Sequence, residues 1–244
     1  GRTHKGRRQN NEESFLRLEL DKETYCFAVE DGMGGSEGGE IASHLVITSI
    51  EQYLTCSYRA GLFQTEKIKE ILIKACYKAQ ESLKNEILMN PSLSGMGTTL
   101  TIILIQNKHY VWANIGDSRI YLLRNNNSFS QITIDHSLVE EYRQKHGKID
   151  SDFAENYGNV ITRSLGGTAD AIDFFPIHGE YETIQNDTIF LLCTDGLLIS
   201  KQKNPANTFA DIVYNSANAE EAINQLIDYA YNAGSSDNIP ALIA

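Results

Sequence analysis

Four aspartates stand at the ends of apolar, strand-like runs, each beside a residue typical of tight turns. They are Asp31, Asp117, Asp195 and Asp237. Asp31 follows the run 25–29 and precedes a glycine-rich turn, and Asp195 follows the run 189–193 and precedes Gly196. Because glycine lets the backbone turn sharply and approach a ligand closely, we expect these carboxylates to lie at the rim of a sheet.

Several carboxylates on one rim repel each other unless cations neutralise them. Mg²⁺ and Mn²⁺ are hard ions that prefer oxygen ligands, and water completes their coordination. Zinc is disfavoured because no cluster of histidines or cysteines accompanies the acids. The alternative is that Asp-Gly is simply a common turn dipeptide. That alternative is strong for any single aspartate and weak for four of them at strand ends.

The N-terminal half alternates between strand-like and helical patterns. Alternating apolar residues predict strands over 15–20 and 25–29. Apolar residues at steps of three and four predict helices over 37–54 and 65–88, and Pro91 ends the second helix. Four short runs with turn signals between them then predict one antiparallel meander, over 98–105, 110–115, 119–124 and 129–134.

The C-terminal half repeats the same two kinds of element. A polar, partly helical stretch over 137–160 precedes predicted strands at 173–176 and 188–193. Helices over 205–215 and 220–233 then precede a last strand at 239–243. Strands in blocks and helices in pairs predict an α+β fold. Two antiparallel sheets flanked by helix pairs, a four-layer α-β-β-α sandwich, would cover every apolar face, and we expect a single domain over 1–244.

Charge and composition exclude several classes of partner. The chain has 32 acidic against 21 basic residues, for a net charge of −11. A nucleic-acid-binding protein needs clustered Lys and Arg, and an anionic membrane disfavours an acidic surface, so neither partner is expected. The four cysteines are far apart and show no paired spacing. Free, buried thiols and a cytoplasmic location are therefore expected.

Eight short motifs occur along nearly the whole chain in one characteristic order. They are Arg8-x-x-Asn11-Glu12-Glu13-Ser14, Asp31-Gly32-Met33-Gly34-Gly35, Gly95-Met96-Gly97-Thr98-Thr99, Gly116-Asp117-Ser118-Arg119, Asp135-His136-Ser137, Thr162-Arg163-Ser164-Leu165-Gly166, Cys193-Thr194-Asp195-Gly196-Leu197 and Ser236-Asp237-Asn238-Ile239. Each motif alone is weak, but eight in order are specific. The set resembles the metal-dependent Ser/Thr protein phosphatases of type 2C, the PPM family, in its bacterial branch.

The resemblance implies a binuclear Mg²⁺ or Mn²⁺ centre. Asp31 would bridge two ions, and the carbonyl oxygen of Gly32 would join the coordination of one of them. Asp195 and Asp237 would hold the other ion. Asp117, together with Asp195, would serve a third and weaker site.

The resemblance also implies how the substrate is treated. Arg8 would clamp the phosphate, and Glu12 would accept a hydrogen bond from a metal-bound water. The expected reaction is hydrolysis of phosphoserine and phosphothreonine in proteins by a metal-activated water. Phosphorylated proteins would be the substrates, with a cognate Ser/Thr kinase as a further partner, and we expect a monomer. The flap-like segment over 137–165 would lie beside the site and select substrates.

The sequence departs from the family pattern at four positions. Glu13 replaces the usual aspartate and is expected to shift the loop or its hydrogen bonds, and Glu30 is expected to add a charge near the site. Met33 stands where animal members carry a histidine, which leaves water to protonate the leaving group. Pro240 predicts that the last strand lies at a sheet edge or is distorted.

These departures keep other functions open. Glu13, Glu30 and Pro240 motivate a pseudophosphatase, a phosphoprotein-binding module that keeps the fold with weak or no turnover. A phosphatase specialised for one regulatory partner is a third candidate. Because all the expected metal ligands are present, the active enzyme is the favoured hypothesis.

Overall fold

The computed structural model describes residues 1–124, 128–166, 177–178, 182–185, 187–198 and 205–244. The α-helices are α1 (Gly35–Arg59), α2 (Ile68–Met89), α3 (Leu138–His146), α4 (Ser151–Tyr157), α5 (Pro205–Asn215) and α6 (Ala219–Asn232). The strands are β1 (Arg2–His4), β2 (Glu13–Asp21), β3 (Thr24–Met33), β4 (Gly97–Thr98), β5 (Leu100–Gln106), β6 (His109–Ile115), β7 (Arg119–Arg124), β8 (Ser128–Gln131), β9 (Leu165–Gly166), β10 (Ile177–His178), β11 (Glu182–Thr183), β12 (Ile189–Cys193) and β13 (Ile239–Ile243).

The described strands form two antiparallel sheets. The smaller sheet has the order β1-β13-β12-β7-β8. The larger one has the order β10-β6-β5-β3-β4-β9, with β2 paired to β3 and β11 paired to β6. The predicted strand at 173–176 and the residues 125–127, between the predicted strands over 119–124 and 129–134, lie outside the described residues.

Three apolar cores alternate with these sheets. The first lies between α1, α2 and the larger sheet, and includes Ile50, Leu72 and Leu104. The second lies between the smaller sheet and the pair α5 and α6. The third lies between the two sheets, where Trp112 of β6 and Phe190 of β12 are buried. Four layers therefore follow as predicted, and β5 is covered on both faces.

The predicted four-strand meander is wrong in one respect, because its strands divide between the two sheets. β5 and β6 pair within the larger sheet, whereas β7 and β8 pair within the smaller one. The chain crosses over between β6 and β7, where Gly116 has a φ of 107°. This conformation is easy for glycine and strained for other residues, and it lets the chain change sheets within a few residues.

Two smaller expectations also differ from the structure. β13 is not at an edge, because the three-residue strand β1 covers it on one side and pairs Thr3 with Pro240. On its other side β13 pairs with β12 from Ala241 onward, beginning with the pair Ala241 and Cys193. Pro240 lies just before this pairing begins, so its missing N–H interrupts no pair between β13 and β12. All four cysteines are free, but Cys56 is exposed rather than buried.

The chain ends of several strands meet at one rim of the sandwich. The end of β3, the start of β2, the end of β12 and the start of β13 all lie there, and the turn between β6 and β7 lies beside them.

Among the helices in the described ranges, none combines the length and the apolar character that a bilayer crossing requires.

Candidate metal centre

A cleft of about 530 Å³ at this rim brings together most of the predicted site residues. Its walls include six of the seven: Arg8, Glu12, Asp31, Gly32, Asp195 and Asp237. The seventh, Asp117, lines an adjoining cleft that shares Asp195 with the first. Asn159 and Ile161, which belong to the segment over 137–165, also line the first cleft.

The backbone around Asp31 is held by two threonines of the Gly95–Thr99 motif. The N–H of Asp31 donates to Thr99 Oγ1 at 2.9 Å, and the N–H of Thr99 donates to the carbonyl oxygen of Asp31 at 2.9 Å. Thr98 Oγ1 donates to the same carbonyl at 2.9 Å. Thr99 Oγ1 also lies 2.8 Å from Ser118 Oγ, which links Asp31 to the Asp117 turn. This network fixes two of the carboxylates relative to each other.

Glycine is required next to Asp31 because the backbones approach closely. A Cβ on Gly32 would lie 2.2 Å from the carbonyl oxygen of Gly39 and 2.6 Å from that of Glu12. The N–H of Gly32 donates to the same Glu12 carbonyl at 3.2 Å. α1, the Glu12 loop and the end of β3 therefore meet at a point where no side chain fits.

Asn238 fastens the loop that carries Glu12. Its Oδ1 accepts from the N–H of Glu12 at 2.9 Å, and its Nδ2 donates to the carbonyls of Lys5 and Asn10 at 2.8 and 2.9 Å. One amide side chain thus saturates three backbone groups of the N-terminal loop. Because Asn238 follows Asp237 directly, the loop is tied to the strand that presents a metal-ligand candidate.

Asp195 and Asp237 are brought together by another close backbone contact. A Cβ on Gly196 would lie only 1.7 Å from the carbonyl oxygen of Asn238. Oδ1 of Asp195 is buried and has no hydrogen-bond partner among the described residues. An orphaned anionic oxygen at this depth is costly unless a cation or a donor reaches it.

A further acid, Glu13, belongs to this cluster and was not predicted to do so. It stands opposite Asp31 in the pairing of β2 with β3 and is only 5 % exposed. Thr194 Oγ1 donates to Glu13 Oε1 at 2.7 Å. Oxygen atoms of Glu13, Asp31 and Asp195 all lie within 4.8 Å of one another. Glu13 is therefore a buried carboxylate that faces the aspartates.

Burial and mutual repulsion raise the pKa values of the clustered acids. The pKa of Asp31 lies well above its usual value because of burial and the charges of Asp195, Asp237 and Asp117. The pKa of Asp195 is raised by burial and by Asp237. Burial, followed by the charge of Asp195, raises the pKa of Asp117 to about 7. Hard oxygen ligands with excess negative charge fit Mg²⁺ or Mn²⁺, so this donor set suits the expected ions.

Arg8 is the cation that the structure places on this cluster. Its guanidinium forms a bidentate ion pair with Asp237, from Nε to Oδ1 at 3.0 Å and from Nη2 to Oδ2 at 2.7 Å. Both side chains keep contact with solvent. The predicted phosphate clamp and a predicted metal ligand therefore bind each other here.

A second network supports the Asp117 turn. The N–H of Gly116 donates to His136 Nδ1 at 3.0 Å, and the N–H of His136 donates to the Gly116 carbonyl at 2.9 Å. Arg119 Nε lies 3.0 Å from both carboxylate oxygens of Asp135. His136 thus forms hydrogen bonds with the backbone of Gly116 and braces the turn.

Glu30 does not add charge to the metal centre, contrary to expectation. Successive residues of a strand point to opposite faces. Asp31 shares the inter-sheet face of β3 with Val29, whereas Glu30 shares the helix-facing side with Ala28. Glu30 is fully buried, neither of its carboxylate oxygens has a described partner, and burial raises its pKa well above the usual value. Met33 lies in the wall of the cleft.

Some positioning residues escaped the sequence analysis. The motifs alone gave no role to Thr98, Thr99 or Asn238. Their signal was available, because each lies in one of the ordered motifs. Their hydrogen-bond partners are 67 to 68 and 226 to 233 residues away, however, so sequence spacing could not reveal them.

Comparisons with known proteins agree with this geometry. The family model "Protein phosphatase 2C" matches residues 2–239. The serine/threonine phosphatase stp of Listeria welshimeri is 31 % identical over 246 residues, which cover 99 % of this chain and 93 % of that protein. The crystal structure of the Staphylococcus aureus serine/threonine phosphatase Stp1 superposes with a TM-score of 0.85 at 26 % identity, covering 99 % and 92 % of the two chains.

A third relative was solved with metal. The catalytic domain of the serine/threonine protein phosphatase PstP, in complex with two manganese ions, matches with a TM-score of 0.79 at 30 % identity, over 99 % of this chain and 94 % of that one. These findings confirm the predicted resemblance, the sandwich fold and a metal-dependent phosphatase, and they give no support to the pseudophosphatase alternative. The chain belongs to the protein phosphatase 2C family.

Proposed function

We propose that this protein hydrolyses phosphoserine and phosphothreonine in phosphorylated proteins, acting as one unit over residues 1–244. One observation carries the proposal: Asp31, Asp195 and Asp237 converge from two different sheets on the cleft that also holds Arg8. Half-buried carboxylates that repel one another are stabilised in their charged form when a cation binds among them.

The proposed metal ligands follow from the same convergence. Asp31 would contact two ions, the Gly32 carbonyl one of them, and Asp195 and Asp237 the other. Asp117 would serve a third site together with Asp195, because both residues line the adjoining cleft. When bound, Mg²⁺ or Mn²⁺ supplies the Lewis acidity that lowers the pKa of water and offsets phosphoryl charge.

The chain's own cationic and acidic groups orient the reactants. Arg8 presents a planar fork of N–H donors to the cleft, which matches two oxygens of a phosphate monoester. Glu12, whose backbone is fixed by Asn238, would accept a hydrogen bond from water in the cleft. Met33 lines the cleft and has no proton to give, so the leaving alkoxide would take its proton from solvent.

The partners follow from this activity. Phosphorylated proteins are the substrates, and a Ser/Thr kinase that acts on the same targets completes the cycle. The free, widely spaced cysteines suit a reducing cytoplasm. We further propose that the protein acts as a monomer.

The test is hydrolysis of p-nitrophenyl phosphate and of a phosphothreonine peptide with Mn²⁺, with and without excess EDTA. Asp31→Asn and Asp195→Asn should abolish turnover, whereas Asp211→Asn, at an exposed position of α5, should not change it. Activity that persists in EDTA or in both site variants would overturn the proposal. Mn²⁺ binding without any turnover would instead indicate a binding module.

A further inference from the structure

Glu13 carries an oxygen that has no partner at the centre of the acidic cluster. Its side chain is more than nine-tenths buried, and Oε2 has no hydrogen-bond partner among the described residues. The other oxygen is occupied, because Thr194 Oγ1 donates to Oε1 at 2.7 Å. The carboxylate is thus oriented by one contact and left with one free oxygen.

Two strands hold Glu13 in this position. It pairs directly with Asp31 at the end of the β2–β3 ladder. Thr194, which orients it, is fully buried and immediately precedes Asp195. The backbone of Glu13 therefore pairs with one proposed metal ligand of the larger sheet, and its side chain accepts a hydrogen bond from the residue that precedes another, at the end of β12 in the smaller sheet.

The spacing of the oxygens agrees with a shared ion. One ligand oxygen from each of Glu13, Asp31 and Asp195 can be chosen so that all three lie within 4.8 Å of one another. Oxygens bound to one octahedral Mg²⁺ lie ~2.1 Å from it, so neighbouring oxygens are ~3.0 Å apart and opposite ones ~4.2 Å apart. An approach of at most about 2 Å between any two of these side-chain oxygens therefore brings the three into one coordination shell.

A purely structural role fits the contacts less well. A protonated Glu13 would have a hydroxyl to donate, and the structure offers it no acceptor at Oε2. Glu30 gives the comparison within the same protein. It too is buried without partners, but it lies on the helix-facing side of β3 with Ala28. Glu13, in contrast, has an oxygen within 4.8 Å of oxygens of both Asp31 and Asp195.

We propose that Glu13 is a direct ligand of the ion held by Asp31 and Asp195. The inference rests on the proposed function, since it assigns one more residue to the same centre.

The test measures Mn²⁺ affinity by calorimetry on the metal-stripped full chain. Glu13→Gln keeps the acceptor for Thr194 but removes the negative charge. It should raise the Kd for Mn²⁺ by about tenfold or more, because even the loss of a partner outside the coordination shell weakens metal binding by about that factor. Glu13→Asp should fall between this variant and the wild type. Glu30→Gln is the matched control and should bind as the wild type does.

The outcomes separate the two proposals. Wild-type protein that binds no Mn²⁺ would overturn the proposed function itself. A Glu13→Gln variant with wild-type affinity would overturn only the role of Glu13. If that variant does not fold, a crystal structure of the wild type with Mg²⁺ decides: an Oε2–metal distance of about 2.1 Å supports the inference, and an intervening water overturns it.

Discussion

Arg8 and Asp237 lie 229 residues apart in the sequence and join through two parallel hydrogen bonds, at 3.0 and 2.7 Å. Both residues have proposed roles toward other groups, Arg8 toward phosphate and Asp237 toward a metal ion. An ion on Asp237 would compete with the guanidinium for the same oxygens. With these roles, loading of the centre and release of the phosphate clamp would be coupled through this pair.

Replacement of Arg8 separates these two roles. Arg8→Ala should lower kcat/KM on a phosphopeptide by on the order of 10²-fold, because a bidentate contact with the phosphate is lost. Its Mn²⁺ affinity should be equal to or tighter than that of the wild type, since Asp237 loses a competitor. Steady-state kinetics and calorimetry on the same preparation check both parts. Arg8→Lys, which keeps the charge without the fork, should recover only part of the activity, and a weakened Mn²⁺ affinity in Arg8→Ala would contradict the coupling.

Removal of the central carboxylate should stabilise the protein and inactivate it. Asp31→Asn relieves repulsion with Asp195, Asp237 and Asp117, so the metal-free variant should melt several degrees above the metal-free wild type. The same variant should gain no thermal stability from Mn²⁺, which stabilises the wild type by binding only its folded state. Differential scanning fluorimetry in EDTA and in Mn²⁺ measures both effects. A lower melting temperature in EDTA would argue against charge crowding.

The metal-free protein should lose stability as the pH rises toward neutral. Asp117 has a pKa of about 7 in the folded state against an ordinary 3.8, so between these values the folded state holds a proton that the unfolded state has lost. Stability then falls with increasing pH across this window, and Asp31 and Asp195 act in the same direction.

One histidine acts in the opposite direction. Burial lowers the pKa of His136 to about 4, so protonation of the unfolded state reduces stability as the pH falls below 6.5. Melting curves in EDTA between pH 6.5 and 8 therefore report mainly on the carboxylates. Asp117→Asn should reduce the slope there, and saturating Mn²⁺ should nearly remove it. A flat profile for the metal-free wild type would contradict the raised pKa values.

His136 should matter for stability rather than for chemistry. His136→Leu leaves the buried N–H of Gly116 without its acceptor, which costs about 1–3 kcal/mol of unfolding free energy. Urea denaturation measures the loss, and His44→Leu, at an exposed position of α1, is the control. Because the turn carries Asp117, activity at limiting Mn²⁺ should fall more than activity at saturating Mn²⁺. An equal fall at both concentrations would place His136 in the chemical step instead.

Local pattern was sufficient for most of the elements. The helix predicted over 205–215 begins and ends as observed in α5, because its apolar residues keep helical spacing. Strands such as β1 and β4 were not predicted, since two or three residues show no periodicity and form only by pairing with β13 and β3. The division of the meander between two sheets depends on the backbone at Gly116, which the turn signal did not specify.

The candidate site was predicted in its members but not in its contacts. The motifs identified Asp31 and Asp195 because acids beside glycine at strand ends are visible in the sequence. The side of the sheet to which Glu13 and Glu30 point depends on strand register, because a shift by one residue moves each side chain to the opposite face. The ladder that sets Glu13 opposite Asp31 also turns Glu30 toward the helices. No composition argument separates two such glutamates.

At this rim the two sheets bring together carboxylates that repel each other. Asp31 belongs to the larger sheet, whereas Asp195 and Asp237 flank β12 and β13 of the smaller one. A divalent ion bound between these carboxylates would connect the two sheets, and a chelator would remove that connection. Without metal, the rim that carries the acidic cleft should therefore be the first part of the molecule to unfold locally, while the three apolar cores keep the remaining layers packed.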